Sequence, residues 1–269
     1  MITIRTSWLT LMLAGLSAVL TTPLAAADEP FPDRWQFTAG LGAADVPLYP
    51  GSDRRRYLAL PAFSISYGRF FLGNAPGASS APGAGLGVNA YQDSHWRLGA
   101  LVSGDFITPR KAANDPHLHG LGDINSTARA TLFASYTLDW ATLRTNVSTD
   151  IGGHGEGTLA GLDLEGRYRP IERLTLSAGP GMTWASGPYM RTFFGVDAAQ
   201  SAASGLPQFQ ATSGLDAVHF SLGADYRLTT AWNLMAHASL ARLRGDAADS
   251  PITETRSQNS YALFATYRF

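Results

Sequence analysis

The sequence predicts an all-β protein: a transmembrane, antiparallel, up-and-down β-barrel of twelve strands with short periplasmic turns and long extracellular loops. Three observations predict it. From Trp35 onward apolar residues recur at every second position in blocks of about ten, Trp or Tyr begins or ends many of the apolar faces, and short connections alternate with long ones. Period-two alternation is the mark of a strand whose two faces see different solvents, because successive side chains point to opposite sides. The blocks approach the ~9–11 residues with which a tilted strand crosses a bilayer, about twice the common soluble strand. Aromatic residues at block ends match the interfacial girdles of such a barrel.

The elements follow in order. Residues 1–27 read as a cleaved signal peptide: Arg5 supplies positive charge, Trp8 to Leu20 form an apolar core, and Ala25-Ala26-Ala27 offers small residues before Asp28. That core is shorter than the ~20 residues of a spanning helix. The barrel domain is then 28–269. Strands are expected near 35–44, 57–67, 69–75, 84–91, 96–106, 128–138, 141–151, 158–169, 174–184, 215–228, 232–243 and 257–269. In the tenth, Val218, Phe220, Leu222, Ala224 and Tyr226 oppose His219, Ser221, Gly223, Asp225 and Arg227. The third and fourth blocks are weakest, since Phe70-Phe71-Leu72 is short and 76–83 is rich in Gly, Pro, Ser and Ala; ten strands is the alternative count. Hydrocarbon offers the backbone no partners, so the sheet must close on itself. The last block alternates through Tyr261, Leu263, Ala265, Tyr267 and Phe269. It resembles the C-terminal assembly signal of bacterial outer-membrane barrels, with Tyr267 and Phe269 as its determinants.

Composition excludes other classes. With 45% hydrophobic residues, a mean hydropathy of −0.04 and one apolar stretch of useful length, the chain is no helical membrane bundle. The 28 glycines fit many tight turns, and the absence of cysteine removes disulfides, thiolate metal sites and cysteine nucleophiles. A net charge of −1 names no partner. Arg54-Arg55-Arg56 is a basic run at the outer end of the second strand, suited to anionic lipopolysaccharide or water rather than nucleic acid.

The search for chemistry yields no catalytic, cofactor or metal site. His219-Phe220-Ser221 has the His-x-Ser spacing of outer-membrane lipid A deacylases, but its face also carries Asp225 and Arg227. On the lipid side a midplane arginine would cost about 2–4 kcal/mol, so this face reads as inward. Asp115, His117, His119 and Asp123 share the loop 107–127, yet two imidazoles on a loop fix no metal geometry. Arg97, Arg129, Arg144, Asp150, Asp163, Glu165, Arg167, Asp225 and Arg227 are expected to face the lumen. Their mixed sign reads as a cross-linked charge lattice ahead of an aqueous pore, since arginine's planar fork bridges carboxylates. The loop 185–214 is unusually apolar, and Tyr189, Phe193 and Phe194 are its candidate surface, packing against neighbouring loops being the plainer reading.

Several strings carry a resemblance: Tyr49-Pro50-Gly51-Ser52, Gly120-Leu121-Gly122-Asp123, Tyr189 through Phe193-Phe194-Gly195-Val196, Ser204-Gly205-Leu206-Pro207, and Gly245-Asp246-Ala247-Ala248-Asp249-Ser250-Pro251-Ile252. Together, in order and over essentially the whole mature chain, they resemble the MipA/OmpV family of Gram-negative outer-membrane proteins. The resemblance implies a non-enzymatic scaffold that joins a membrane-bound murein transglycosylase to a murein synthase, in contact with outer-membrane lipid and without nucleic acid. A channel or solute- and antibiotic-permeation barrel is the alternative, and an outer-membrane hydrolase the second. The family carries no catalytic motif to transfer.

Overall fold

The computed structural model describes residues 31, 33–73, 84–104 and 109–269; the expected signal peptide, 1–27, lies outside the described residues. Twelve strands form one closed antiparallel barrel. They are β1 (Gln36–Pro47), β2 (Arg55–Tyr67), β3 (Phe70–Gly73), β4 (Gly85–Gln92), β5 (Trp96–Gly104), β6 (Ala128–Thr137), β7 (Ala141–Asp150), β8 (Thr158–Ile171), β9 (Leu174–Ala185), β10 (Gly214–Arg227), β11 (Trp232–Leu243) and β12 (Ser260–Arg268). Each pairs with its sequence neighbours, and β1 closes the ring on β12 from Thr38↔Arg268 to Asp45↔Tyr261. The short β3 is a true member, laddered to β2 through Ile65↔Leu72 and to β4 through Phe71↔Gly87, which sets the count at twelve rather than ten.

The two faces separate as alternation requires. Outward stand apolar side chains such as Leu41, Leu86, Leu132 and Leu263, each more than 60% exposed, an all-round apolar wall that only hydrocarbon solvates favourably. At the short-turn end Trp35 meets Tyr67, Trp96 meets Tyr136 and Trp232 meets Tyr267, with ring centroids 5.0, 4.8 and 5.2 Å apart. This is one aromatic girdle, and the short turns beside it mark the end as periplasmic. Inward, Phe71, Phe133 and Phe264 lie over Gly87, Gly99 and Gly42 of neighbouring strands, so each ring fills space that a side chain there would have taken. With Ala44, Val46, Leu60 and Met235 they make one side of the lumen apolar. The other side is polar.

The sequence shows no helical periodicity, yet the outer loops contain three short helices: α1 (Gly187–Phe194), α2 (Ala198–Ser204) and α3 (Gly245–Asp249). Local end signals rather than long amphipathic stripes make them. Pro188 sits in the first turn of α1. Asp197 accepts from the Gln200 N–H while the Gln200 side chain returns to the Asp197 N–H, and Gly205 ends α2 at φ 78°, a left-handed conformation that glycine adopts without strain.

Candidate functional site

Three features of the barrel can act on other molecules: the loop-covered mouth, the polar side of the lumen, and a trough on the lipid-facing wall.

At the outer end the described loops pack into a lid. From α1, Tyr189, Met190, Phe193 and Phe194 descend onto the inward residues Leu159, Ala185 and Leu243 at the outer ends of β8, β9 and β11, with Ile124 and Ala247 beside them. A second cluster joins Tyr49, Leu118, Leu121, Val196 and Ile252 from four different loops. Tyr189, Phe193 and Phe194 therefore do not form an exposed loop surface; Phe194 is 0% exposed, because burying those rings against strand ends stabilises more than leaving them in water. Polar groups lock the same layer. Ser250 donates to the Phe194 carbonyl (2.6 Å), Tyr49 donates to Glu254 (2.8 Å), and the buried Arg110 donates to the carbonyls of Phe193 and Leu121. Burial lowers the Arg110 guanidinium to about 10. The strings that carry the family resemblance supply much of this lid.

Of the candidate residues of the loop 107–127, Asp115, His117 and Asp123 serve it too, while His119 is exposed. Asp115 accepts from the His117 N–H and lies 3.5 Å from Arg54, His117 Nε2 donates to the Pro251 carbonyl (3.1 Å), and Asp123 accepts from the Ala112 N–H. Among the described residues no three metal-ligating side chains gather.

Beneath the lid the polar wall is ordered in transverse rows. Arg97, Ser135, Arg144, Asp163, Gly181 and His219 are successive ladder partners across β5 to β10, so one line of inward positions carries them all. His219 Nε2 donates to Asp163 Oδ1 (2.6 Å), placing the His219-Phe220-Ser221 string in the lumen; among the described residues no serine hydrogen-bonds His219. Arg144 and Arg167 both bond Glu165 Oε1, at 2.9 and 3.0 Å. Nearer the lid Arg129 pairs with Glu156 at 2.6 Å. Asp150 accepts from Thr127 and from three loop N–H groups. Arg227 donates to the Glu172 carbonyl (2.6 Å), and Asp225 faces the lumen one inward position above it. Glu156 escaped the sequence reading because it sits in a glycine-rich loop outside any alternating block. Its only signal was charge.

Side-chain exposure along this wall is graded: 23% at Arg167, 17% at Glu165, 9% at Asp163 and 0% at Glu156. Among these residues exposure falls from the periplasmic end toward the lid.

On the outer surface, across β8 to β12 and on to β1 and β2, runs a trough of about 1060 Å³. Its sides are two neighbouring outward rows: Gly166, Ala178, Leu222, Ala238, Tyr261, Asp45 and Tyr57, and beside it Tyr168, Leu176, Ala224, Ala236, Leu263 and Ala43. Glycine and alanine keep the floor low while leucine and tyrosine rings stand above it. Trp140 bounds it at the periplasmic girdle, and the Asp45–Arg55 ion pair (2.9 Å) lies at its outer end.

A closed barrel with an apolar outer wall, an aromatic girdle and a lidded, charge-lined lumen defines an outer-membrane β-barrel protein. The chain belongs to the MipA family: the family model described as MltA-interacting protein MipA matches residues 39–269. It is 26% identical over 160 residues to the MltA-interacting protein of Escherichia coli (strain K12), covering 59% of this chain and 63% of that relative. It is 24% identical over 159 residues to the putative outer membrane protein YiaT of Escherichia coli O157:H7, covering 59% and 64%. The matches thus span under two thirds of these relatives. Among solved structures it is similar to the outer-membrane expressed OmpT of Vibrio cholerae, with 8% identity, a TM-score of 0.38, and coverage of 88% of this chain and 97% of that one.

Proposed function

We propose that this barrel is a non-catalytic scaffold of the Gram-negative outer membrane, exported through a signal peptide at 1–27, that holds a membrane-bound murein transglycosylase and through it a murein synthase. The lidded lumen is the observation that carries this reading: a wall that goes from 23% exposed at Arg167 to 0% at Glu156 suits a plugged barrel better than a conduit. The printed name of the Escherichia coli relative, MltA-interacting protein, supports a transglycosylase as the partner. Among the described residues no serine hydrogen-bonds His219, whose bond is to Asp163, so nothing there supports hydrolysis.

The periplasmic turns are short, whereas a standard interface needs roughly 800 Å² from each partner. The trough between Tyr168 and Tyr57 adds apolar surface on the flank, where a membrane-embedded segment of the partner can lie. A pull-down from detergent-solubilised native membranes tests this. It is expected to recover a murein transglycosylase, and Ala236→Leu with Ala238→Leu, which fill the trough, are expected to lose it while the barrel still folds. Recovery of no transglycosylase overturns the reading, and steady single-channel conductance of the purified protein favours a permeation barrel instead.

A further inference from the structure

We propose that the periplasmic half of the lumen is a blind vestibule that binds a small oxyanion, a phosphate or a carboxylate, between Arg97, Arg144 and Arg167. The three arginines stand on the inward face of β5, β7 and β8. Arg97 and Arg144 occupy the same transverse row, two strands apart, with Ser135 between them. Arg167 lies two inward positions below Asp163, which is the ladder partner of Arg144.

The charges around them do not balance. Glu165 is shared by Arg144 and Arg167. Asp163 is engaged by His219, and Asp225 lies lower, in the row of Thr175 and Met235. Among the described residues Arg97 has no hydrogen-bond or ion-pair partner, and the charges acting on it are the like charges of Arg144 and Arg167. A guanidinium partly withdrawn from water beside two others is unfavourable unless an anion joins them. The gap is thus a counter-ion position.

Chemistry selects the ion. Guanidinium forks offer paired, planar N–H donors that match the oxygens of carboxylate or phosphate and give a spherical halide no such match. The Ser135 hydroxyl, in the same row, adds a donor. Access selects the side: exposure rises from Asp163 through Glu165 to Arg167, so the ligand enters from the periplasm and stops beneath the Arg129–Glu156 pair and the lid. This proposal stands on the lumen alone and is independent of the scaffold reading.

The test is equilibrium dialysis of the detergent-purified full-length barrel against labelled inorganic phosphate, with succinate in a parallel arm, at constant ionic strength set by chloride. One saturable site per barrel is expected in at least one arm, and the tighter arm tells phosphate from carboxylate as the source. Arg97→Gln is expected to weaken it at least ten-fold, and Arg268→Gln, at the periplasmic rim, to leave it unchanged. If Arg97→Gln does not assemble, Arg167→Gln, at a more open position, is read instead with the same expected loss. The proposal is overturned by absence of saturable binding in both arms, by equal binding in the assembled lumen variant, or by equal loss in Arg268→Gln.

Discussion

His219 Nε2 lies 2.6 Å from Asp163 Oδ1 although the two residues stand on β10 and β8, with β9 running between them. The bond passes over Gly181, the ladder partner of both. A methyl group at Gly181 would overlap Asp163 Oδ1 and His219 Nε2 alike. Gly181→Ala is therefore expected to break the bond and destabilise the barrel by about 1–3 kcal/mol, the usual range for overpacking. The readout is the temperature at which the compact band on a heat-modifiability gel disappears. An unchanged midpoint contradicts the assignment, and Asp163→Asn separates loss of the bond from the steric effect.

The lid should be separable from the barrel beneath it. Phe194, the last residue of α1, is fully buried in the cluster over the strand ends, and its truncation to alanine is expected to cost about 3–5 kcal/mol of local packing. Limited proteolysis should then cut within 187–213 while the heat-modifiable band persists. In planar bilayers the unaltered protein is expected to show no steady current, and Phe194→Ala with Met190→Ala to show openings. Steady current before any substitution would mean that the lid does not seal.

Alkaline pH should loosen the same layer. Burial, then the hydrogen bond to Glu254 and its negative charge, push the Tyr49 phenol well above its ordinary value of 10.0. The folded state thus holds this proton more tightly than the unfolded chain. Its contribution to stability is complete below the ordinary value and is lost as the pH climbs through the folded one. Absorbance at an alkaline wavelength should show one late-ionising tyrosine that is missing in Tyr49→Phe; the same late fraction in both proteins would refute the assignment.

The β1–β12 seam carries the final prediction. Tyr267 is in edge contact with Trp232 and with Phe269 (5.2 and 4.9 Å), and the Phe269 N–H donates to the Phe37 carbonyl (3.1 Å). Tyr267→Ala breaks both ring contacts and is expected to reduce the assembled fraction more than Phe269→Ala, which breaks one. The comparison uses heat-modifiable protein recovered from membranes, and equal yields for both variants and the unaltered chain would count against an assembly role.

Much of the barrel is legible along the chain because its cause is local. A residue at an even or odd position in a strand points to one solvent or the other whatever the rest of the fold does, so the facing of Arg144 and Leu143 can be read from their neighbours. The strand limits follow for the same reason, to within about three residues. Tertiary pairing is not local. Nothing in the sequence around Arg129 names Glu156 as its partner, or joins Asp163 to His219 across a third strand, because both depend on register around a closed ring.

By itself the sequence determined a closed, lipid-facing barrel of twelve or ten strands with an arginine-rich inner face and an apolar outer loop, and the β3 ladders of the structure set the count at twelve. Only the tertiary structure decided where Tyr189, Phe193 and Phe194 go, that Arg97 stands near the like charges of Arg144 and Arg167, and that small outward residues on five strands align into one trough. The physical reason is the same in each case. Alternation fixes the face on which a side chain stands, whereas its neighbours on that face come from other strands and loops, and closure of the sheet chooses them.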